Sequence, residues 1–231
     1  MNFLKQHKLI FVICPVIILF SSCFGINMDI TLNPNGSGTV SLEYLVSRSL
    51  DSLGKLDGNE RWNTIPLGKA DFDRTLARLP DLKLLSFSSK EDEKNLKVNA
   101  KLEFKNIDGL MAFLDAGGRR SLFSGDADQG RLYFNLAGSS ATAGQDLSAP
   151  GLTSSTSALN DLLKNIAGSY YVKISVNLSK EGNLKITNNR GFPIAPLPGS
   201  EIKSSGKKLS CSIPLYEVLA ADSGINLEFL W

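Results

Sequence analysis

Residues 28–46, MDITLNPNGSGTVSLEYLV, decide how this chain folds. Met28, Ile30 and Leu32 alternate with Asp29 and Thr31, the period of a strand with one buried face. NPNGSG at 33–38 then concentrates turn chemistry, with Pro34 presetting its own φ and Gly36 and Gly38 tolerating positive φ. Val40, Leu42, Tyr44 and Val46 resume the alternation. Two amphipathic runs around such a turn predict a β-hairpin.

The same pattern recurs downstream. Residues 82–89 and the alternating Leu96, Val98, Ala100, Leu102 and Phe104 flank the polar turn KEDEKN, predicting a second hairpin. Residues 122–124 and 132–136 predict a third around GDADQG. Tyr170, Val172, Ile174, Val176 and Leu178 make a strand, which KEGN turns so that Leu184 and Ile186 begin the return. Leu209, Cys211 and Ile213 form another strand, and Ile225, Leu227, Phe229 and Trp231 a last one with a strongly apolar face. FPIAPLPGS at 192–200 reads as a proline-interrupted loop.

Helices fall between these strands. Phe72, Leu76 and Leu79 take helical spacing, with Asp71 and Asp73 near the start, Arg78 near the end and Pro80 as the stop. Ile107, Leu110, Met111 and Leu114 share a second helical face, with Asn106 placed to cap its start and Gly117 its end. Leu159, Leu162, Leu163 and Ile166 predict a third, short helix. The expected class is α+β: an antiparallel sheet built from hairpins, with helices packed on one face.

Upstream lies an address. Residues 1–22, MNFLKQHKLIFVICPVIILFSS, join a basic head to a short apolar run and small residues, the arrangement of a secretory signal peptide. The apolar run is shorter than the roughly 20 residues that a spanning helix needs. Cys23 follows directly, and the segment resembles a bacterial lipoprotein signal, of a relaxed spirochaete-like form with Phe20 where Leu is usual. That resemblance implies lipidation of Cys23, with cleavage leaving it as the first residue, and export to a cell membrane or outer membrane. Phe24 is not the Asp that favours inner-membrane retention in enterobacteria. The expected organisation is a signal at 1–22, an N-terminal α+β part at 23–136, a flexible Ser/Ala/Gly/Thr-rich loop at 137–157, and a C-terminal α+β part at 158–231 continuous with the first.

Removing residues 1–22 takes two lysines and no acid, leaving 23 basic against 23 acidic side chains. A near-neutral chain without a basic stripe is not expected to bind nucleic acid. The single His7 and Cys14 leave with the signal. Without an imidazole, Ser-His-Asp and Cys-His catalysis and His-containing zinc sites are excluded. Cys211, in KLSCSIPL, is then the one thiol not taken by lipid; its period-two neighbours Leu209 and Ile213 predict a buried core residue.

Other clusters read as structure. Asp126, Asp128 and Gly130 resemble the start of a calcium loop, but Gln129 and Arg131 do not supply the remaining ligands. Glu91, Asp92 and Glu93 fall on an exposed turn between Lys90 and Lys94, a poor setting for a buried acid pair. Arg119 and Arg120 suit the end of a helix dipole, with an anion site as the sharper alternative. The aromatic terminus reads as a core strand, since outer-membrane barrels need at least eight strands of about ten residues. Trp62, Phe192 and Pro193 are candidates for an apolar groove.

Cys23, the opening hairpin at 28–46 and YYVKISVNLSKEGNLKITNNRG at 170–191 resemble the LppM-like family of bacterial lipoproteins. The resemblance implies an α+β body behind a lipidated cysteine and a non-enzymatic envelope role, touching lipid or host components. It supplies no binding residues. The expected function is a membrane-anchored binding module for an envelope protein or an amphiphile, with no cofactor, no metal and no catalytic residue. The alternative is a carboxylate-dependent cell-wall hydrolase.

Overall fold

A computed structural model describes residues 25–47, 66–93, 95–115, 121–125, 129–136, 167, 170–221 and 224–231. Ten strands form one mixed sheet, curled into a half-barrel, with few helices. The elements are β1 (Gly25–Leu32), β2 (Gly38–Ser47), α1 (Lys69–Leu76), β3 (Leu82–Glu91), β4 (Asn95–Phe104), α2 (Ile107–Leu114), β5 (Ser121–Gly125), β6 (Gly130–Leu136), β7 (Tyr171–Thr187), β8 (Glu201–Lys203), β9 (Ser205–Pro214), α3 (Leu215–Ala220) and β10 (Ile225–Leu230). The main path runs β3-β4-β2-β1-β7-β10-β6-β5, and β9 and β8 branch from the other side of β7.

The three early hairpins form as the alternation predicts. β1 pairs antiparallel with β2, Met28 facing Leu42 and Ile30 facing Val40. β3 pairs with β4, and β5 with β6. Strand alternation becomes two faces once the strands are in register. Across one level of the sheet Phe87, Ala100, Leu42, Met28, Ile174 and Cys211 face one another in turn. One step along, Leu84, Leu102, Val40, Ile30, Val176 and Leu209 do the same. These apolar rows are the core.

The helices close that face. α1 lays Phe72, fully buried, against Phe87 of β3 at 5.4 Å and Phe113 of α2 at 6.2 Å between ring centroids. Asn106 caps α2, its side-chain oxygen accepting from the Gly109 N–H at 2.8 Å. The proposed cap at Gly117 lies outside the described residues, as do the helix at 159–166 and the linker at 137–157.

Two expectations need correction. The sheet is mixed and not wholly antiparallel, because β1 and β7 run parallel, Ile26 facing Val172 and Thr31 facing Asn177. KEGN does not turn the chain: β7 is a single strand of 17 residues. Between Asn177 and Gly182 the chain takes five steps along β7 against two along β9, so the polar residues are absorbed as a bulge. Gly182 is needed there for room, since a Cβ would run into the Leu230 carbonyl and the Leu178 side chain. β10 occupies the centre of the second half, pairing with β6 on one side and β7 on the other. β8 and α3 carry no signal that the alternation reads.

Candidate functional site

The face opposite the core is polar across seven strands at two successive register levels. At one level Ser88, Asn99, Glu43, Asn27, Lys173 and Ser212 face one another across β3, β4, β2, β1, β7 and β9, with Glu201 of β8 beyond. At the next, Ser86, Lys101, Ser41, Asp29, Ser175 and Ser210 do so, with Lys203 beyond. Period two puts these residues outward because their neighbours are the core. The bulge between Leu84 and Ser86 in β3 keeps Ser86 and Ser88 in phase, at the cost of leaving Leu85 45% exposed.

A depression of about 400 Å³ opens over β1–β4, lined by the polar Asn27, Asp29, Ser41, Glu43, Ser86 and Lys101 and also by Leu42, Phe87 and Ala100 of the neighbouring apolar row. Its acids are already engaged. Asp29 accepts from the Asn177 side-chain amide at 2.8 Å and has the Lys208 ammonium at 3.9 Å. Glu43 pairs with Lys97 at 3.1 Å. The Asp29 and Glu43 side chains are 41% and 48% exposed, so these are solvated pairs worth about 0–1 kcal/mol each. Lys101 is exposed, and its neighbours across the strands are the serines 41 and 86. Hydroxyls, amides and one lysine at the surface can hydrogen-bond a polar chain laid across the strands.

A second, shallower cleft of about 570 Å³ lies beside Trp231, lined by Ser124, Gly125, Gln129, Gly130, Arg131 and Leu230. Trp231 stacks on Phe123 at 6.0 Å and exchanges two backbone hydrogen bonds with Gly130, at 3.1 and 3.0 Å. A Cβ on Gly130 would enter the indole, so the glycine lets the ring lie on the strand. Arg131 pairs with Glu228 at 2.8 Å and sits 5.6 Å from the Tyr133 ring centroid.

The residues singled out from sequence do not converge. Cys23, Trp62, Arg119, Arg120, Asp126 and Asp128 lie outside the described residues. Glu91, Asp92 and Glu93 sit exposed at the β3–β4 tip, where Asp92 caps the turn by accepting from the Asn95 N–H at 2.7 Å. Phe192 is 63% exposed, and Pro193 bridges to Thr187. Cys211 is buried, as its spacing predicts. Burial pushes its thiol up to about 12, with a backbone hydrogen bond at Ile174 working the other way. Tyr44 is raised too, by burial and then by the Asp71 charge, and its hydroxyl donates to the Pro66 carbonyl. Among the described residues no three of His, Cys, Asp and Glu are grouped to hold a metal ion, and no helix is long and apolar enough to cross a membrane.

Alternation marks the apolar half of each strand and leaves the polar face without a signal of its own in any one strand. The signal lies in the other halves taken together, in which 27, 29, 41, 43, 99 and 101 are all Asn, Asp, Ser, Glu or Lys.

No family model and no curated protein matches the chain. Among solved structures it is similar to the NMR structure of the folded domain of the Mycobacterium tuberculosis LppM protein, with a TM-score of 0.39 and 11% identity over 90% of this chain and 89% of that one. A likeness this loose carries no argument about activity.

Proposed function

We propose that the chain is a lipid-anchored protein of a bacterial cell envelope, held by Cys23, that works by binding and not by catalysis. Its contact surface is the polar face over β1–β4, and its partner is another envelope protein. The observation that supports this reading is the depression itself. It is open, hydrogen-bonding and lined by acids that are already paired. Carriage of an amphiphile calls for an enclosed apolar pocket, and this depression is open to solvent and mixed in lining. A general acid needs a carboxyl positioned at the reacting bond with its proton retained. Asp29 and Glu43 share the depression, which is what keeps the hydrolase alternative in view, but each is half exposed beside a lysine.

One experiment tests both halves. A photo-crosslinking residue replaces Ser86 in the cell, and a clickable fatty acid is fed to the same strains. The parent should take the fatty acid and form a discrete adduct. Cys23→Ala should lose both. A label that persists in Cys23→Ala would overturn the anchor, and a labelled parent with no adduct would overturn the contact surface.

A further inference from the structure

We infer that the end of the sheet carrying Gly25 lies against the lipid headgroups, so that the domain has a fixed membrane-facing end. This rests on the anchor reading of Cys23. β1 begins at Gly25, two residues after Cys23. Two residues reach at most about 7 Å. The acylated cysteine therefore leaves no room for a spacer, and the start of β1 must sit at the headgroup layer.

Register says what else sits there. Gly25 faces Leu45, which faces Lys97. β7 runs parallel to β1 and starts at the same end, and a Cβ on Gly25 would meet the Tyr170 ring at 3.6 Å. Tyr170 and Tyr171 are half-buried, and the Lys173 ammonium lies 5.4 Å from the Tyr171 ring centroid. Tyrosine with lysine suits a headgroup layer, since each offers an apolar body and a polar tip. The occupant of this end is thus a phospholipid surface.

The opposite end is far away. β7 continues to Thr187, 16 residues beyond Tyr171. The bulge absorbs three of those steps (five against two), so about 13 steps at about 3.3 Å remain, on the order of 40 Å. The exposed turn carrying Arg190 and Phe192 follows directly. Asn27 and Asp29, by contrast, are two and four residues after Gly25. The depression is therefore membrane-proximal, roughly 7–13 Å along the strand from the anchored end.

The test uses the full, lipidated chain. Its remaining native thiol, Cys211, is buried, so an introduced cysteine can be labelled selectively. Lys97→Cys and Arg190→Cys each receive a donor dye. The proteins are reconstituted in vesicles of phosphatidylcholine and phosphatidylglycerol containing an acceptor on the headgroup. Energy transfer should be strong from position 97 and several-fold weaker from position 190. Equal transfer, or the reverse order, in protein shown by mass to carry lipid would overturn the orientation and leave the anchor standing. Purified protein without lipid on Cys23 would overturn the anchor itself, and the orientation with it.

Discussion

At the scale of single residues, Cys211 shows how far spacing can be trusted. Leu209 and Ile213 at period two put it on the apolar face, and it is 2% exposed there. Its thiol is raised from an ordinary 9.0 to about 12, chiefly by burial. The native state thus holds its proton where the unfolded chain releases it. That contribution to stability is complete below pH 9 and declines as pH rises toward 12. Melting temperatures of the parent and of Cys211→Ala, measured from pH 8 to pH 11, should show a steeper fall in the parent. Parallel curves would mean that the thiol is not buried. Gly182 shows the opposite case: it stands beside Asn183 in a polar run that reads as a turn, yet the residue serves a close approach to β10. A glycine that turns a chain and one that yields space look the same in a sequence.

At the scale of elements, β10 carries the most. Ile225, Leu227 and Phe229 are fully buried, and Asn226 is buried with its side-chain amide donating to the Asn188 carbonyl at 2.8 Å. Phe229 meets Phe134 of β6 edge to face at 6.0 Å. Phe229→Ala should cost about 3–5 kcal/mol, read from the denaturant midpoint at constant slope. An unchanged midpoint would mean that the ring is not in the core. The edges contrast with this centre. β3 is bulged and carries Lys83, Lys90 and Glu91, which discourages pairing with another chain.

At the scale of the molecule, the long-range pairing of β1 with β7 joins the two halves. The partners are separated by about 145 residues, Ile26 facing Val172. Residues 25–136 alone would leave the β1 edge open and the core rows ended at Met28 and Ile30. An open apolar edge invites association. That fragment should aggregate or show no cooperative transition, whereas the chain from Gly25 to Trp231 should unfold as one unit in calorimetry. A monomeric fragment with its own sharp transition would show that the halves are separable domains.

The sequence by itself determined the local elements. Three hairpins, two helices, the core faces of β1, β2, β4, β7, β9 and β10 and the burial of Cys211 are all written in spacing and turn chemistry. Those signals act over a few residues, where alternation and glycine placement are sufficient. Tertiary structure decided the rest. The parallel contact of β1 with β7, the unbroken course of β7 through KEGN and the central place of β10 depend on partners more than 30 residues apart. The polar face exists only once seven strands are in register, because no single strand carries more than a few of its residues. Pairing between distant strands is set by the closing of the whole core, and no local pattern encodes it.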